Sequence, residues 1–173
     1  NGAVTFTPNG NCSPSTYHSF MDEVFTGPLP NGLVNNNFLN SIFGSYQHTH
    51  FSKVNYPTGS VNYQVYGTAP CRKFVISFHN MPAAGLFPTN CPPPVPLQSH
   101  QIVLHELTNV IDVNIIQHDN CPANDPIESS AVIGIINITN TQGYSPPNRN
   151  VGSWAATNES WRFAPAGECM YDT

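Results

Sequence analysis

The chain has 173 residues and a net charge of −5, with five Lys and Arg against ten Asp and Glu. That length suits one domain able to bury its own core, and the lack of clustered cations argues against nucleic acid as a partner. Charged residues make up 9% of the chain, well below the roughly one quarter of ordinary soluble domains, so Asn, Ser and Thr supply the polarity, as suits β faces and turns better than helices. No apolar run approaches the roughly 18–20 residues needed to span a bilayer, which argues against membrane insertion. The opening at Asn1, without an initiator Met or signal peptide, reads as a piece processed or excised from a longer protein.

Residues 1 to 58 are the least regular part and are expected to wrap the rest of one domain rather than form their own. Ala3 to Thr7 predicts a strand, Ser15 to Phe25 carries a weak helical or turn pattern, and Leu39 to Tyr46 predicts a short buried strand. From Gly59 to Asn80 the pattern alternates on both sides of a break at Gly67 to Pro70. Val61, Tyr63 and Val65 lead in one strand and Phe74, Ile76 and Phe78 in the other. Period two about a Gly/Pro break predicts a hairpin with one face of each strand buried.

Gln98 to Gln117 predicts a second hairpin. With Thr108 and Asn109 as a two-residue turn, Leu107 pairs with Val110, His105 with Asp112, Leu104 with Val113 and Ile102 with Ile115. Ile102, Leu104, Ile111, Val113 and Ile115 then share one face. Ser130 to Ile138, nearly all apolar and β-branched, predicts a central strand covered on both faces or set at a crowded corner. Glu159 to Ala164 predicts a last strand with Trp161 and Phe163 in the core. The 17 Pro and 12 Gly fall mostly between these runs. Short strands separated by turn residues predict an all-β antiparallel sandwich, jelly-roll-like or Ig-like, with few or no helices.

The runs IFGSYQ, GSVNYQVYGTAPCRKFVISFHNMP, QIVLHELTNVIDVNI, AVIGIINITNTQGYSPPNRNVGSW and NESWRF resemble, in that order, a β-sandwich module of large secreted Bacteroidetes surface proteins. Those proteins often carry gliding-motility-type C-terminal sorting domains and leave by the type IX system. The module is also distantly similar to the nidogen extracellular (NIDO) domain. The resemblance spans about residues 40 to 164 and implies adhesion or surface-layer assembly with no catalytic residue. Relatives often follow the FGPY-like segment with an Asp-rich stretch. Here Gln47, His48, Thr49 and His50 stand in its place, which argues against an acidic calcium site there.

Five cysteines are an odd number for an extracellular chain. Cys91 and Cys121 lie in Pro-rich loops flanking the second hairpin and are the first expected bridge, with Cys12 to Cys169 the second and Cys71 left free. No CxxC pair supports zinc. His48 and His50 can face one way in an extended segment, with only His79 or His100 as distant third ligands. The densest oxygen cluster is Asp119, Asn120, Asn124, Asp125 and Glu128, which suits a structural calcium but equally an ordinary turn. No other cofactor is expected.

His105 with Asp112 could be a base and its orienting carboxylate, but the predicted register explains them as a cross-strand polar pair. No GxSxG elbow occurs. Glu106 and Asp112 fall on opposite faces, and Asp22, Glu23, Asp119 and Asp125 lie in loops, so no glycosidase carboxylate pair stands out. Three glycosylation sequons begin at Asn11, Asn137 and Asn158. In the loop from Thr139 to Asn158, Tyr144, Asn148, Arg149 and Trp154 are the residues to stack on and hydrogen-bond a sugar or peptide, unless Trp154 instead plugs the core.

The function these readings support is a non-catalytic module of a secreted or cell-surface adhesin, with a surface glycan, a protein or its own neighbouring modules as partner. A lectin-like carbohydrate-binding module and a structural repeat or fibre subunit are the alternatives.

Overall fold

A computed structural model describes residues 2–6, 27–30, 39–49, 59–83, 96–120 and 130–166, and these contain no helix. Nine strands follow in chain order: β1 (Ala3–Thr5), β2 (Ser41–Tyr46), β3 (Ser60–Tyr66), β4 (Lys73–Pro82), β5 (Leu97–His105), β6 (Ile111–His118), β7 (Val132–Ile136), β8 (Gly143–Tyr144) and β9 (Ala156–Phe163). They form two antiparallel sheets. The smaller has the order β1-β2-β7-β8 and the larger β3-β4-β5-β6-β9, which is the sandwich expected from the alternating pattern. The weak helical pattern at 15–25 lies outside the described residues.

The sheets meet where β2 packs across β5 and β6. Ile42 joins Ile76, Phe78, Met81 and Ile102 in one buried cluster, and Val113, Ile115, Ala131, Ile133 and Trp154 form a second. A third, of Leu29, Phe43, Tyr46, Val132 and Ile136, brings Leu29 and the partly buried Val151 against the smaller sheet. Strand β2 is thus buried at every position and β7 nearly so. Trp161 and Phe163 lie at the margin of the second cluster and are half-buried rather than central.

Two expectations change. The β5–β6 register is Leu104 to Ile111, Val103 to Asp112 and Ile102 to Val113, not the two-residue-turn register. Glu106 leaves the strand because Arg72 draws it away. The Glu106 amide donates to the Arg72 carbonyl at 2.9 Å, and the guanidinium Nε donates to Glu106 Oε2 at 2.9 Å. Asn109 then closes a longer loop with φ of 52° and donates its amide to the His105 carbonyl at 3.1 Å, a left-handed conformation that Asn tolerates. The slip is by an even number of residues, so the apolar face keeps its members. Ile102, Val113 and Ile115 are buried, while Leu104 and Ile111 are partly so.

The other change is β3, which was expected to bury one face and is exposed at all seven positions. It pairs with β4 from Ser60–His79 to Tyr66–Lys73, so the hairpin itself stands. However, β3 is the edge of the wider sheet, beyond the strands that β2 covers. Tyr63 keeps an in-sheet ring contact with Phe74 at 5.7 Å.

The difference between β2 and β3 is measurable. Phe43→Ala, at a position with no exposed surface, is expected to cost about 3–5 kcal/mol in urea unfolding. Val61→Ala on the exposed edge strand is expected to stay within about 0.5 kcal/mol when unfolding is followed at protein concentrations low enough to keep the chain monomeric.

Candidate functional site

Where β2 and β7 diverge from the β5–β6 turn, the sandwich stays open as a cleft of about 430 Å³. Ile42 and Ile135 of the smaller sheet and Leu104 and Ile111 of the larger make its apolar walls. Two aromatic rings stand at its mouth, Phe6 just after β1 and Tyr144 in β8, the latter 64% exposed. Asn40, Asn109, Asn137 and Gln142 add four carboxamide residues to the lining. Asn40 and Asn109 sit at left-handed corners, with φ of 52° each.

Asn137 builds the rim. Its Oδ1 accepts from the amides of Thr141 (3.0 Å) and Gln142 (3.2 Å), and its Nδ2 donates to the hydroxyls of Thr139 (3.0 Å) and Thr141 (3.1 Å). The nitrogen that a sequon would glycosylate is thus occupied in holding the β7–β8 turn. His105 also lines the cleft, and its Nε2 lies 2.8 Å from Asp112 Oδ2. Asp112 in turn accepts from Arg162 Nε at 2.7 Å and Nη2 at 2.9 Å. Arg162, and secondarily His105, hold the Asp112 carboxyl below its usual range. The expected cross-strand pair exists, but on a diagonal, because Asp112 sits opposite Val103. Ser41, the serine of the cleft wall, donates to the Leu39 carbonyl at 3.2 Å.

The four residues expected to share one ligand surface are divided. Tyr144 stands at the cleft, whereas Trp154 is 9% exposed at the far end of β7, where its Nε1 donates to the Ala131 carbonyl at 3.1 Å. Arg149 lies over the indole at 4.9 Å and donates through Nε to Glu159 Oε1 at 2.7 Å. Asn148 is exposed, with φ of 59°, and its carbonyl accepts from Arg149 Nη1 at 2.9 Å. In this arrangement Trp154 closes the core and Arg149 covers it.

Asp119 Oδ2 accepts from Gln117 Nε2 at 2.6 Å, while Asp125 and Glu128 lie outside the described residues. So do His50, Cys12, Cys91, Cys121 and Cys169. Cys71 is free and exposed in the β3–β4 turn. Among the described residues, no three His, Cys, Asp or Glu side chains come together as metal ligands, and no helix is long and apolar enough to cross a membrane.

A polar layer inside the sandwich was not singled out from the sequence. Ser45, Gln47, Gln98, His100 and His118 are all buried. Gln98 Nε2 donates to Gln47 Oε1, and Ser45 Oγ is hydrogen-bonded to His118 Nδ1 at 2.5 Å. His118 lies tilted against Trp154 at 4.1 Å, and His100 stacks on Phe78 at 4.5 Å. Polar residues set inside strands that are elsewhere apolar, as in GSYQ and QSHQ, are the sequence signal for such a layer.

Burial pushes the His100 imidazole down to about 3 and that of His118 to about 4. Both are therefore neutral in the fold, whereas an unfolded His protonates near 6.5. Between those values the unfolded chain binds more protons, so this stability is complete above about pH 6.5 and is lost as pH falls. Unfolding free energy is expected to drop by about 1 kcal/mol per pH unit for each His between pH 6 and 5. A flat urea-stability profile across that range would contradict two buried neutral imidazoles.

Fold and cleft together define a two-sheet antiparallel sandwich with a lined cavity between the sheets at one end. A family model described as NIDO related matches residues 1–168, and the chain belongs to that family. NIDO-related domains are typically extracellular. No curated protein and no solved structure gives a significant match.

Proposed function

We propose that the domain is a non-catalytic recognition module of a secreted or cell-surface adhesin, and that it attaches by holding a neutral sugar in the cleft. The observation that carries this is the composition of the cleft mouth. Phe6 and Tyr144 offer ring faces, and Asn40, Asn109 and Gln142 offer carboxamides. A pyranose needs both, because its C–H faces stack on aromatic rings while its hydroxyls exchange hydrogen bonds with amides. No Asp, Glu, Lys or Arg lines the cleft, and the imidazole of His105 is turned to Asp112. That favours an uncharged sugar over a sialic, uronic or sulfated one. The type IX-exported Bacteroidetes surface proteins that the sequence resembles, and the family's extracellular habit, supply the setting.

One cleft of this size supports only weak monovalent binding, about 1 mM or −4 kcal/mol, so attachment depends on many copies or many ligands. A glycan array read with calcium and again with EDTA tests the reading. Neutral glycans are expected to score in both conditions and to lose at least about tenfold in Tyr144→Ala. A blank array, or binding abolished by EDTA and indifferent to Tyr144→Ala, would overturn it. Because Trp154 is in the core, Trp154→Ala is expected to cost about 3–5 kcal/mol of stability.

A further inference from the structure

Among the described residues, β3 is an open edge of the five-stranded sheet, apart from the cleft. Natural edge strands are blunted by charge, proline, bulges or brevity. Strand β9, at the opposite edge, carries Glu159 and Arg162, and the smaller sheet ends in the three-residue β1 and the two-residue β8. Strand β3 has none of these protections. It runs seven residues, SVNYQVY, without a charge or a proline, in unbroken register with β4.

Its sequence is also symmetric about Tyr63, with Val61 and Val65 on either side and the two amides Asn62 and Gln64 between them. Val61, Tyr63 and Val65 lie opposite Phe78, Ile76 and Phe74 and so continue that apolar face into solvent. Tyr63 is 76% exposed.

We propose that β3 pairs antiparallel with β3 of a second copy of this chain, about a two-fold axis at Tyr63. Tyr63 then faces itself, Val61 faces Val65, Asn62 faces Gln64 and Ser60 faces Tyr66. Valine meets valine on one face and amide meets amide on the other, and every contact between non-identical positions occurs twice, as in an isologous interface. The uncharged strand meets another uncharged strand, so no ion is desolvated when the edges close. The result is one continuous sheet of ten strands, five from each copy. Cys71, exposed in the turn beyond Tyr66, falls at opposite ends of the pair, so the association is non-covalent.

Sedimentation equilibrium of the 173-residue chain over a range of concentrations, with and without reductant, tests this. A dimer mass that is insensitive to reductant is expected. Tyr63→Lys and Tyr63→Glu are each expected to give folded monomers that still unfold cooperatively in urea, and their equimolar mixture a dimer, because only this axis sets residue 63 against itself. A folded wild type that stays monomeric, a dimer lost in reductant, a dimer that survives both variants, or a mixture that fails to pair would each overturn the proposal. Sugar binding by the Tyr63 variants is expected to match wild type, which keeps failure here distinct from failure of the cleft reading.

Discussion

Strand β2 has no solvent face, and the rest of the sandwich is arranged around that constraint. Ile42 turns toward β4 and β5, while Phe43 turns the other way, into a cluster sealed by Leu29 and Val151. Next along the strand, Gly44 passes so close to His100 that a Cβ there would lie 2.6 Å from the imidazole Cδ2, well inside van der Waals contact. A register shift between Phe43 and Tyr46 accompanies the hydrogen bond between Ser45 and His118. A single six-residue strand therefore serves two apolar clusters and one polar layer. Its burial holds the two sheets at one spacing, because interiors are close-packed and yield little.

From that fixed contact the rest follows by geometry. The smaller sheet covers the middle of the larger one and stops short of β3, which leaves a bare edge. At the Asn40 end, loops with left-handed asparagines keep the sheets apart and form the cleft. At the other end His118, Trp154 and the Arg149–Glu159 pair close the core. One end of the sandwich is thus built to be open and the other to be shut. The Arg149–Glu159 pair is mostly shielded from solvent, with about a fifth of each side chain exposed, so it is screened less by salt than a free surface pair.

Much of the fold was legible in the sequence because period two survives small errors. The β5–β6 register was off by an even slip, which leaves Ile102, Val113 and Ile115 facing inward all the same. Period two cannot say whether anything lies over a strand, and so β3, with the same alternation as β4, was expected to be half buried. The cleft was harder to foresee. Its residues come from the end of β1, the entry to β2, the β5–β6 turn and the β7–β8 turn, segments up to more than a hundred positions apart. Of these only Tyr144 stood out beforehand as a ligand contact, an aromatic in a loop rich in Gly, Pro and Asn, while His105 was read as half of a cross-strand pair and Asn137 as a sequon. Trp154, further along the same predicted loop, went into the core because an indole with its N–H satisfied by the Ala131 carbonyl is worth more buried than exposed.

The central claim is that the cavity between the sheets is where this module meets its ligand. The most direct measurement is an NMR titration with neutral oligosaccharides that follows the side-chain amide resonances. The account predicts that Asn40, Asn109 and Gln142, together with the backbone of Tyr144, shift in a common saturable way while the Trp154 indole N–H stays still. Shifts confined to the Asp119 region or the Trp154 end, or none at all, would contradict it.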